Sequence, residues 1–278
     1  PEIAALAPEN GPSAGGTTVV LTGIGFKSEV VGANAVTFGN RAARSVTTVD
    51  DTRVRAVAPL GNAGALVDVV LTNSNGSTSV PQGFRYNAAP ALAAFAPNGA
   101  SALGGATITL SGLGFQRDNA GANSVTFGAS AATSVTVLDD QTLRCVAPPG
   151  VENSLVEVRV TNANGSATAA FPYFAAPQLV ELVPPFGFSG GGTLVELRGS
   201  GFLANAAGVA SVSFGATPAT EIVVLDDGRL QCRAPAGTSG AVAVALTNAN
   251  GASLLDGGFF YDWAPTVTAF QPASGSSL

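Results

Sequence analysis

The sequence is built from a unit of just under 90 residues that occurs three times. Five landmarks return in the same order: a glycine pair, a G-x-G-F segment, a V-[TS]-F-G segment, an Asp pair followed by a strand ending in Ala-Pro, and a T-N-x-N-G segment. The G-x-G-F segments begin at Gly23, Gly112 and Gly199, which are 89 and 87 residues apart. A period of this length exceeds that of solenoid units and is typical of a small domain that folds independently.

The period divides the chain into three complete copies and the opening of a fourth. We place the copies at residues 1–88, 89–175 and 176–263, and the start of a fourth repeat at 264–278. Two interpretations of the last segment stay open. It either begins a longer array or is a strand offered to another molecule by strand addition. The first is favoured because the segment keeps the register of an ordinary first strand.

Apolar residues alternate with a period of two inside each copy. In Thr107–Gly112, for example, Ile108 and Leu110 share one face. This alternation predicts strands with one face in water, and the Asn75-Gly76 pair is typical of a tight hairpin. About seven strands are predicted per copy, in the first copy near 2–7, 17–23, 34–39, 44–49, 52–58, 66–73 and 78–86. The predicted fold class is all-β, with three tandem immunoglobulin-like β-sandwiches in a rod and the first strand of a fourth.

The ordered motifs resemble one family specifically. The order Pro…GG…GxGF…VxFG…CxxP…TNxNG…FxY is similar to that of IPT/TIG domains, the immunoglobulin-like domains of plexin and transcription-factor type, over all three copies and the final segment. Cys145 and Cys232 open the C-x-x-P segments, whereas Ala56 replaces the cysteine in the first copy. The resemblance implies an immunoglobulin-like fold in a bacterial surface or secreted protein. It leaves function open, because the family also occurs in receptors, Rel-type transcription factors and starch-acting enzymes.

The motif residues are predicted to be structural. A dinucleotide-binding loop needs a third glycine and a following helix, and neither follows G-x-G-F here. The glycines are instead expected to allow a tight bend, and the phenylalanine to fill the core. The predicted structural residues are Gly23, Gly25, Phe26, Phe38, Gly112, Gly114, Phe115, Phe127, Cys145, Gly199, Gly201, Phe202, Phe214 and Cys232.

The two cysteines and the three aspartate pairs each allow two interpretations. Cys145 and Cys232 occupy the same inward position of different domains, which predicts buried free thiols rather than a disulfide. The sequence contains no histidine that could activate a thiol. Asp pairs at 50/51, 139/140 and 226/227 are expected to cap turns. Calcium binding is the alternative, although no third carboxylate lies near in sequence.

Composition excludes several classes of function. Charged residues make up 11% of the chain, the net charge is −6 and Lys27 is the only lysine, so the basic surface of a nucleic-acid-binding protein is missing. No apolar run reaches the roughly 18 residues of a membrane-spanning helix. Without histidine, no Ser-His-Asp or Cys-His pair can form. We therefore expect no enzyme activity, no cofactor, no metal and no membrane insertion in this segment.

The linkers between copies indicate a protein that presents its surfaces to partners or assembles with other copies. Each is short and contains proline. Asn87, Phe174 and Trp263 are interpreted as occupying the same place in each linker, between the last tyrosine of one copy and the next proline. We expect Phe174 and Trp263 to pack neighbouring domains together or to contact a partner such as a sugar. The surface also carries little charge: Val20, Val70, Ala243 and Ala245 fall on outward positions. The low surface charge reflects either coverage of these faces by other copies or a general bias of the composition toward Gly and Ala.

The leading hypothesis is a non-catalytic extracellular or cell-surface array, acting as a stalk, fibre or adhesive surface-layer element. Its expected partners are further copies of itself or neighbouring surface proteins, with glycan as an additional candidate. The alternative is a carbohydrate-binding or spacer module of a secreted polysaccharide-acting enzyme. A receptor or transcription-factor module is a third possibility, which the acidic charge disfavours.

Overall fold

The described residues form β-strands and no helix. The computed structural model describes residues 1–27, 30–205, 207–263, 268–269 and 271–272, which contain 27 strands arranged in six sheets. These sheets form three tandem immunoglobulin-like sandwiches, so the predicted all-β class with three such sandwiches is confirmed. No helix in this part of the chain could span a membrane. The segment expected to open a fourth repeat lies mostly outside the described residues.

Sandwich 1 pairs a four-stranded sheet with a five-stranded sheet. In spatial order the first sheet consists of β1 (Glu2–Ala7), β3 (Thr18–Ile24), β7 (Arg53–Val57) and β6 (Ser45–Asp50). The second consists of β2 (Asn10–Pro12), β9 (Gly76–Asn87), β8 (Leu66–Asn73), β4 (Ala35–Phe38) and β5 (Arg41–Ala42). All these pairs are antiparallel except β2 with β9, which is parallel.

Sandwich 2 repeats this topology. Its four-stranded sheet consists of β10 (Ala91–Ala96), β12 (Thr107–Leu113), β16 (Thr142–Val146) and β15 (Thr133–Val137). Its five-stranded sheet consists of β11 (Ala100–Ser101), β18 (Gly165–Phe174), β17 (Leu155–Asn162), β13 (Ser124–Phe127) and β14 (Ser130–Ala131). The short β11 runs parallel to β18.

Sandwich 3 has the same order of strands. Its first sheet consists of β19 (Gln178–Val183), β21 (Leu194–Ser200), β25 (Arg229–Arg233) and β24 (Thr220–Asp226). Its second consists of β20 (Phe186–Phe188), β27 (Gly251–Asp262), β26 (Gly240–Asn248), β22 (Ser211–Phe214) and β23 (Thr217–Pro218). A cis peptide bond precedes Pro8, Pro97 and Pro184, the proline that follows the first strand of each sandwich, and also precedes Pro272.

Each sandwich contains nine strands rather than about seven. The strands that sequence reasoning missed are the two- and three-residue ones, such as β2 and β5 in sandwich 1. Such strands are too short to show alternation, because two residues cannot establish a period of two. Their place at the sheet edge is decided by the longer strand beside them.

The core of each sandwich comes from the inward faces of both sheets. In sandwich 1, Val19 and Leu21 of β3 are fully buried against residues of the opposite sheet such as Val69 and Leu71. Removing apolar side chains from water is the main source of folding free energy, at roughly 25 cal/mol per Å². The alternating pattern therefore fixes which face of each strand points inward.

The four outward apolar positions noted in the sequence are partly buried rather than exposed. Val20, Val70, Ala243 and Ala245 all belong to this class. Each lies on an interior strand, β3, β8 or β26, so side chains of the strands on both sides cover it. Cross-strand packing within one sheet therefore accounts for part of the low surface charge, without any covering by other copies.

By internal contacts the chain divides into two compact units. The first comprises Pro1–Asn98, Thr107–Pro148 and Val156–Phe171, and the second comprises Gly99–Ala106, Pro149–Leu155 and Pro172–Leu278. The first junction, between sandwiches 1 and 2, lies inside the first unit. The second junction, between sandwiches 2 and 3, lies inside the second unit. Each junction can therefore be described by itself.

Candidate interdomain interfaces

Each G-x-G-F segment ends a strand and starts a loop. A Cβ on Gly23 would lie 2.7 Å from the ring of Phe26, and Gly25 has φ = +78°, a conformation that residues with side chains rarely adopt. Phe26 is fully buried. The other two sandwiches repeat this arrangement with Gly112, Gly114 and Phe115, and with Gly199, Gly201 and Phe202.

The phenylalanines of the V-x-F-G segments complete the core. Phe38, Phe127 and Phe214 are each buried. Each meets the phenylalanine of the long hairpin strand edge-to-face, and the ring centroids are 5.1, 5.2 and 4.9 Å apart for the partners Phe84, Phe171 and Phe259. This geometry suits the charge distribution of aromatic rings, so these motif residues pack the core.

The two cysteines are free and buried. Cys145 pairs in register with Ile108, and Cys232 pairs with Val195, on the inward face of equivalent sheets. Burial raises the pKa of Cys145 to about 11 and that of Cys232 to about 12. Both thiols are therefore protonated at neutral pH and are poor nucleophiles.

The two aspartates of each acidic pair have different roles. The first Asp caps its own turn, as Asp50 does by accepting hydrogen bonds from the amide and hydroxyl of Thr52 at 2.9 and 2.7 Å. These bonds and the neighbouring Arg53 lower the pKa of Asp50 to about 2. The second Asp reaches across to the G-x-G-F loop.

That second Asp orders the loop through main-chain amides. Asp140 accepts hydrogen bonds from the amides of Gly114, Gln116 and Arg117 at 3.3, 3.1 and 2.9 Å. Asp51 makes the equivalent bonds in sandwich 1, and Asp227 makes them in sandwich 3. Partial burial tends to raise the pKa of Asp140, but these amides and Arg117 outweigh it and hold the pKa below its usual value.

The same loop is held from its other side by the first Asn of T-N-x-N-G. Asn162 donates from Nδ2 to the Gly114 carbonyl at 2.9 Å, and its Oδ1 accepts the amide of Asn164 at 3.0 Å. Asn73 and Asn248 make the equivalent bonds. Sequence reasoning assigned the N-G pair to a turn and missed this role, although Asn recurs there in all three copies. The arrangement brings the loop and the turn together at one end of each sandwich.

The first junction consists of polar side chains. Asn87, at the end of β9, donates to Asn164 Oδ1 at 2.9 Å and to the Asp118 carbonyl at 2.8 Å. Asn119 donates to Asn10 Oδ1 at 3.2 Å. Asn164 is only 4% exposed. The Asn-Gly turn and loop of sandwich 2 are thus docked on the β2–β9 end of sandwich 1.

An ion pair and an unsatisfied acceptor complete the first junction. Arg85 lies 3.4 Å from Asp118, and both side chains are partly exposed. Asn87 Oδ1 is buried and has no hydrogen-bond partner among the described residues. Burying an acceptor without a partner costs free energy.

The second junction uses the same surfaces with different chemistry. The hydroxyl of Ser101 donates to the main-chain carbonyl of Asn250 at 2.6 Å. A Cβ on Gly251 would lie 2.9 Å from Cβ of Ala176 and 3.2 Å from Cδ1 of Leu103. Asn250 is 4% exposed, as is its counterpart in the first junction. Here the turn docks through its main chain and against the apolar side chain of Leu103.

The linker residues singled out from the sequence do not share one position. Register places Asn87 opposite Pro12, Phe174 opposite Ser101 and Asp262 opposite Phe188. The counterpart of Asn87 and Phe174 is therefore Asp262, and Trp263 lies one residue further on. Phe174 is partly buried, and its ring lies within 3 Å of where a Cβ on Gly99 would be.

Trp263 belongs to an aromatic end of sandwich 3. It is 82% exposed, and three further exposed aromatic residues lie near the β20–β27 pairing. Phe186 pairs in register with Phe260, and both point outward beside buried Gly187 and Tyr261. We use "aromatic end" for Phe186, Phe188, Phe260 and Trp263. The sequence prediction included only Trp263, because the positions of the other three depend on the short strand β20.

Metal binding finds no support among the described side chains. In that part of the chain, no group of three or more His, Cys, Asp or Glu residues is arranged to hold an ion. The second Asp of each pair has its oxygens directed at main-chain amides. The acidic pairs therefore work as loop anchors.

A family model for the IPT/TIG domain matches residues 1–86, 90–173 and 177–261. The chain belongs to the IPT/TIG domain family. The tandem TIG resemblance predicted from the motifs is thereby confirmed.

Among curated proteins, the chain is similar to fibrocystin-L of Mus musculus, with 28% identity over 204 residues that cover 73% of this chain and 5% of fibrocystin-L. The solved extracellular region of plexin A4 aligns with 90% of this chain and 23% of its own, at 16% identity and a TM-score of 0.40. A surface glycan-binding protein from Prevotella bryantii aligns with 77% of this chain and 54% of its own, at 15% identity and a TM-score of 0.28. The chain thus spans a small part of its curated relative.

Proposed function

We propose that the chain is a non-catalytic, extracellular repeat array that serves as a stalk, fibre or surface-layer element and acts through the surfaces of its sandwiches. The observation that carries the proposal is the docking of the Asn-Gly turns of sandwiches 2 and 3 on the preceding sandwich, through Asn164 in one junction and Asn250 in the other. The repeated motifs order that turn and its loop. Their residues are used for packing and connection rather than for chemistry.

The reactive groups support a non-catalytic role. The sequence contains no histidine. Burial raises the thiol pKa of Cys145 to about 11 and of Cys232 to about 12. The capping aspartates are engaged by amides and arginines. None of these groups is set to transfer a proton or attack a substrate at neutral pH.

Two measurements on the natural protein test this proposal. Antibody labelling and protease treatment of intact cells or culture medium should detect the chain outside the cell. Negative-stain electron microscopy of the purified chain should show extended particles or assemblies of them. A cytoplasmic location, with the protein protected from protease until the cells are lysed, would overturn the proposal.

Glycan binding is the second candidate, and the aromatic end favours it. Exposed rings such as Phe186 and Trp263 can stack on the apolar faces of sugar rings, and the neighbouring Asp262 carboxylate can accept hydrogen bonds from hydroxyl groups. Titration calorimetry with xyloglucan and mixed-linkage glucan oligosaccharides tests this candidate. Binding that disappears in Trp263→Ala but persists in Leu203→Ala, a matched exposed position, would support it. Heat signals at the level of buffer dilution for every glycan would refute it.

A further inference from the structure

One edge strand of sandwich 1 pairs more regularly than its counterparts in the other sandwiches. Among the described residues, β6, β15 and β24 each lie at the edge of a four-stranded sheet and have a hydrogen-bonded neighbour on one side only. In β6, the residues from Ser45 to Thr48 pair without interruption with those from Val57 back to Val54. A regular edge strand presents a row of main-chain amides and carbonyls to which a further strand can add.

The equivalent edges of sandwiches 2 and 3 are interrupted by bulges. In β15 and in β24, two residues of the edge strand oppose one residue of its neighbour. The bulges contain Ser134 and Glu221, both with φ = +51°. A bulge twists the strand and breaks the row of main-chain groups, which is one way in which natural sheets avoid pairing at their edges.

The other edge strands of sandwich 1 are also protected. β1 contains a bulge between Ile3 and Ala5. β2 has three residues and β5 has two, so each offers few main-chain groups to a partner. β6 is therefore the edge of this sandwich that is open to a further strand.

The side chains of β6 suit a paired strand. Ser45, Thr47 and Val49 are exposed along its outward face. The segment Ser45–Val49 carries no charge and contains four β-branched residues, which favour strands. Nothing in this segment opposes the approach of a second strand.

The exposure of this edge does not depend on what precedes sandwich 1. Sandwiches 2 and 3 each have a preceding sandwich docked against them. The counterparts of Val49 there are Leu138 and Leu225, which are nevertheless 49% and 44% exposed. Docking at the end of a sandwich thus leaves this side edge uncovered.

The charges at the two ends of β6 favour one orientation of a paired strand. Arg44 lies directly before the strand and Asp50 ends it. An in-register parallel pair of two such strands would place each charge beside its own kind. An antiparallel pair centred on Thr47 instead places Arg44 of one copy opposite Asp50 of the other, and Ser45 opposite Val49. Asp50 also pairs with Arg53 of its own chain at 2.9 Å, so Arg44 selects the register more than it strengthens the contact.

We propose that β6 binds β6 of a second copy as an antiparallel strand centred on Thr47. The pairing joins the two four-stranded sheets into one continuous sheet. Because the same surface is used on both sides, the contact is two-fold symmetric and closes in a dimer. The proposal rests on the proposed function and deepens it by naming the partner and the surface.

The contact is expected to be weak. Only the six residues of β6 and the side chains beside them enter the pairing. Such an interface lies at the small, transient end of the range of interface sizes, for which we expect a dissociation constant on the order of 100 μM. Several such contacts along a longer array would strengthen one another.

Disulfide trapping of the whole chain tests the register directly. Thr47→Cys places its own thiol opposite itself across the two-fold axis, at a separation that a disulfide can bridge. Mild oxidation should therefore give a covalent dimer. The natural cysteines, Cys145 and Cys232, are buried and should not cross-link. Thr136→Cys, the equivalent position on the bulged β15, is the matched control and should stay monomeric.

Sedimentation velocity between about 10 and 500 μM measures the contact without a cross-link, over concentrations that span the expected dissociation constant. The average mass should rise with concentration. Thr47→Lys sets two like charges opposite each other and should restore monomer mass, whereas Thr136→Lys should assemble as the natural chain does. Unchanged melting temperatures and circular dichroism show that each variant is folded.

A charge pair across the contact provides a second test of the register. Ser45→Lys and Val49→Glu should each lower the average mass, because each places a charge opposite an uncharged side chain. A chain that carries both substitutions should assemble again, since lysine and glutamate then face each other twice across the two-fold axis. A shifted or parallel register does not bring these positions together.

Three outcomes would overturn the proposal. One is monomer mass throughout the concentration range together with no covalent dimer of Thr47→Cys. Another is assembly that persists in Thr47→Lys, which would place the contact elsewhere. The third is equal cross-linking of Thr47→Cys and Thr136→Cys, which would indicate random collision. None of these outcomes bears on whether the chain is found outside the cell, so failure here is distinguishable from failure of the proposed function.

Discussion

The two internal junctions dock equivalent surfaces with different chemistry. In the first junction, side-chain amides make the contact, with Asn87 bonded to Asn164 and an ion pair between Arg85 and Asp118. In the second, a main-chain carbonyl accepts the bond from Ser101, and the apolar side chain of Leu103 lies beside the turn. The comparison shows that a clamped turn and loop define the shape of the contact, while the residues on the receiving end are free to vary.

The largest effect is expected from adding a methyl group to the docked glycines. Gly76, Gly165 and Gly251 have φ values of +121°, +134° and +140°, so alanine at any of them costs about 1–3 kcal/mol in backbone strain. At Gly165 and Gly251 the new Cβ also meets a neighbour at about 3 Å, which adds roughly 1–2 kcal/mol. Calorimetric unfolding of Gly165→Ala and Gly251→Ala should therefore show larger losses than Gly76→Ala. Equal losses in all three would contradict the close contacts of Gly165 with Ala89 and of Gly251 with Ala176.

A smaller effect should separate the side-chain junction from the main-chain junction. Asn164→Ala removes the bond to Asn87 and leaves buried polar groups unpaired, at a cost of about 2 kcal/mol. Asn250→Ala removes only a bond inside sandwich 3 and keeps the carbonyl that Ser101 uses. A double-mutant cycle of Asn87→Ala with Asn164→Ala should give a coupling of roughly 1 kcal/mol. A cycle of Ser101→Ala with Asn250→Ala should give almost no coupling energy. Equal coupling energies in the two cycles would contradict the proposed difference between the junctions.

The loop anchors should make both junctions sensitive to acid. The pKa of Asp140 is lowered in the folded state, so its contribution to stability is present above its unfolded pKa of about 3.9 and is lost as the pH falls through the folded value. Asp140→Asn should cost about 1–2 kcal/mol at pH 7 and progressively less below pH 4. Urea unfolding at pH 7 and pH 2.5 measures this difference, with Asp227→Asn as the counterpart for the second junction. A cost that is the same at both pH values would rule out the ionised anchor.

The smallest effect concerns the ion pair found in the first junction. Arg85 is about half exposed and lies 3.4 Å from Asp118, so Arg85→Ala should cost no more than about 0.5 kcal/mol in dilute buffer. Salt at 1 M shortens the electrostatic screening length to about 3 Å. At that salt concentration, Arg85→Ala and the natural chain should have the same free energy of unfolding. Pro172→Ala, at the equivalent position of sandwich 2, should show no dependence on salt. A salt-independent loss for Arg85→Ala would mean that its packing, rather than its charge, matters.

Much of the fold could be predicted because it rests on local patterns. The alternation in Thr107–Gly112 matches β12, and the repeated landmarks predicted three sandwiches that the structure contains. The short strands β2, β11 and β20 could not be predicted, because two or three residues carry no period and gain their hydrogen bonds from a distant partner. The misplacement of Trp263 has another origin, since the sequence itself shows that Asp262, and not Trp263, directly follows the last tyrosine.

The sequence by itself determined the all-β class, the number of repeats, the inward position of Cys145 and Cys232 and the presence of an Asn-Gly turn in each copy. These features follow from alternation and from backbone preferences that act within a few residues. Only the tertiary structure decided that Asp140 and Asn162 hold one loop from two sides, and that Asn10, Asn87 and Asn164 meet at a junction. The hydrogen bonds that join them link residues 24 to 77 positions apart in the sequence, and no local preference acts over such a distance. They come together because burial of the core fixes how the sheets pack, which in turn fixes what their edges present.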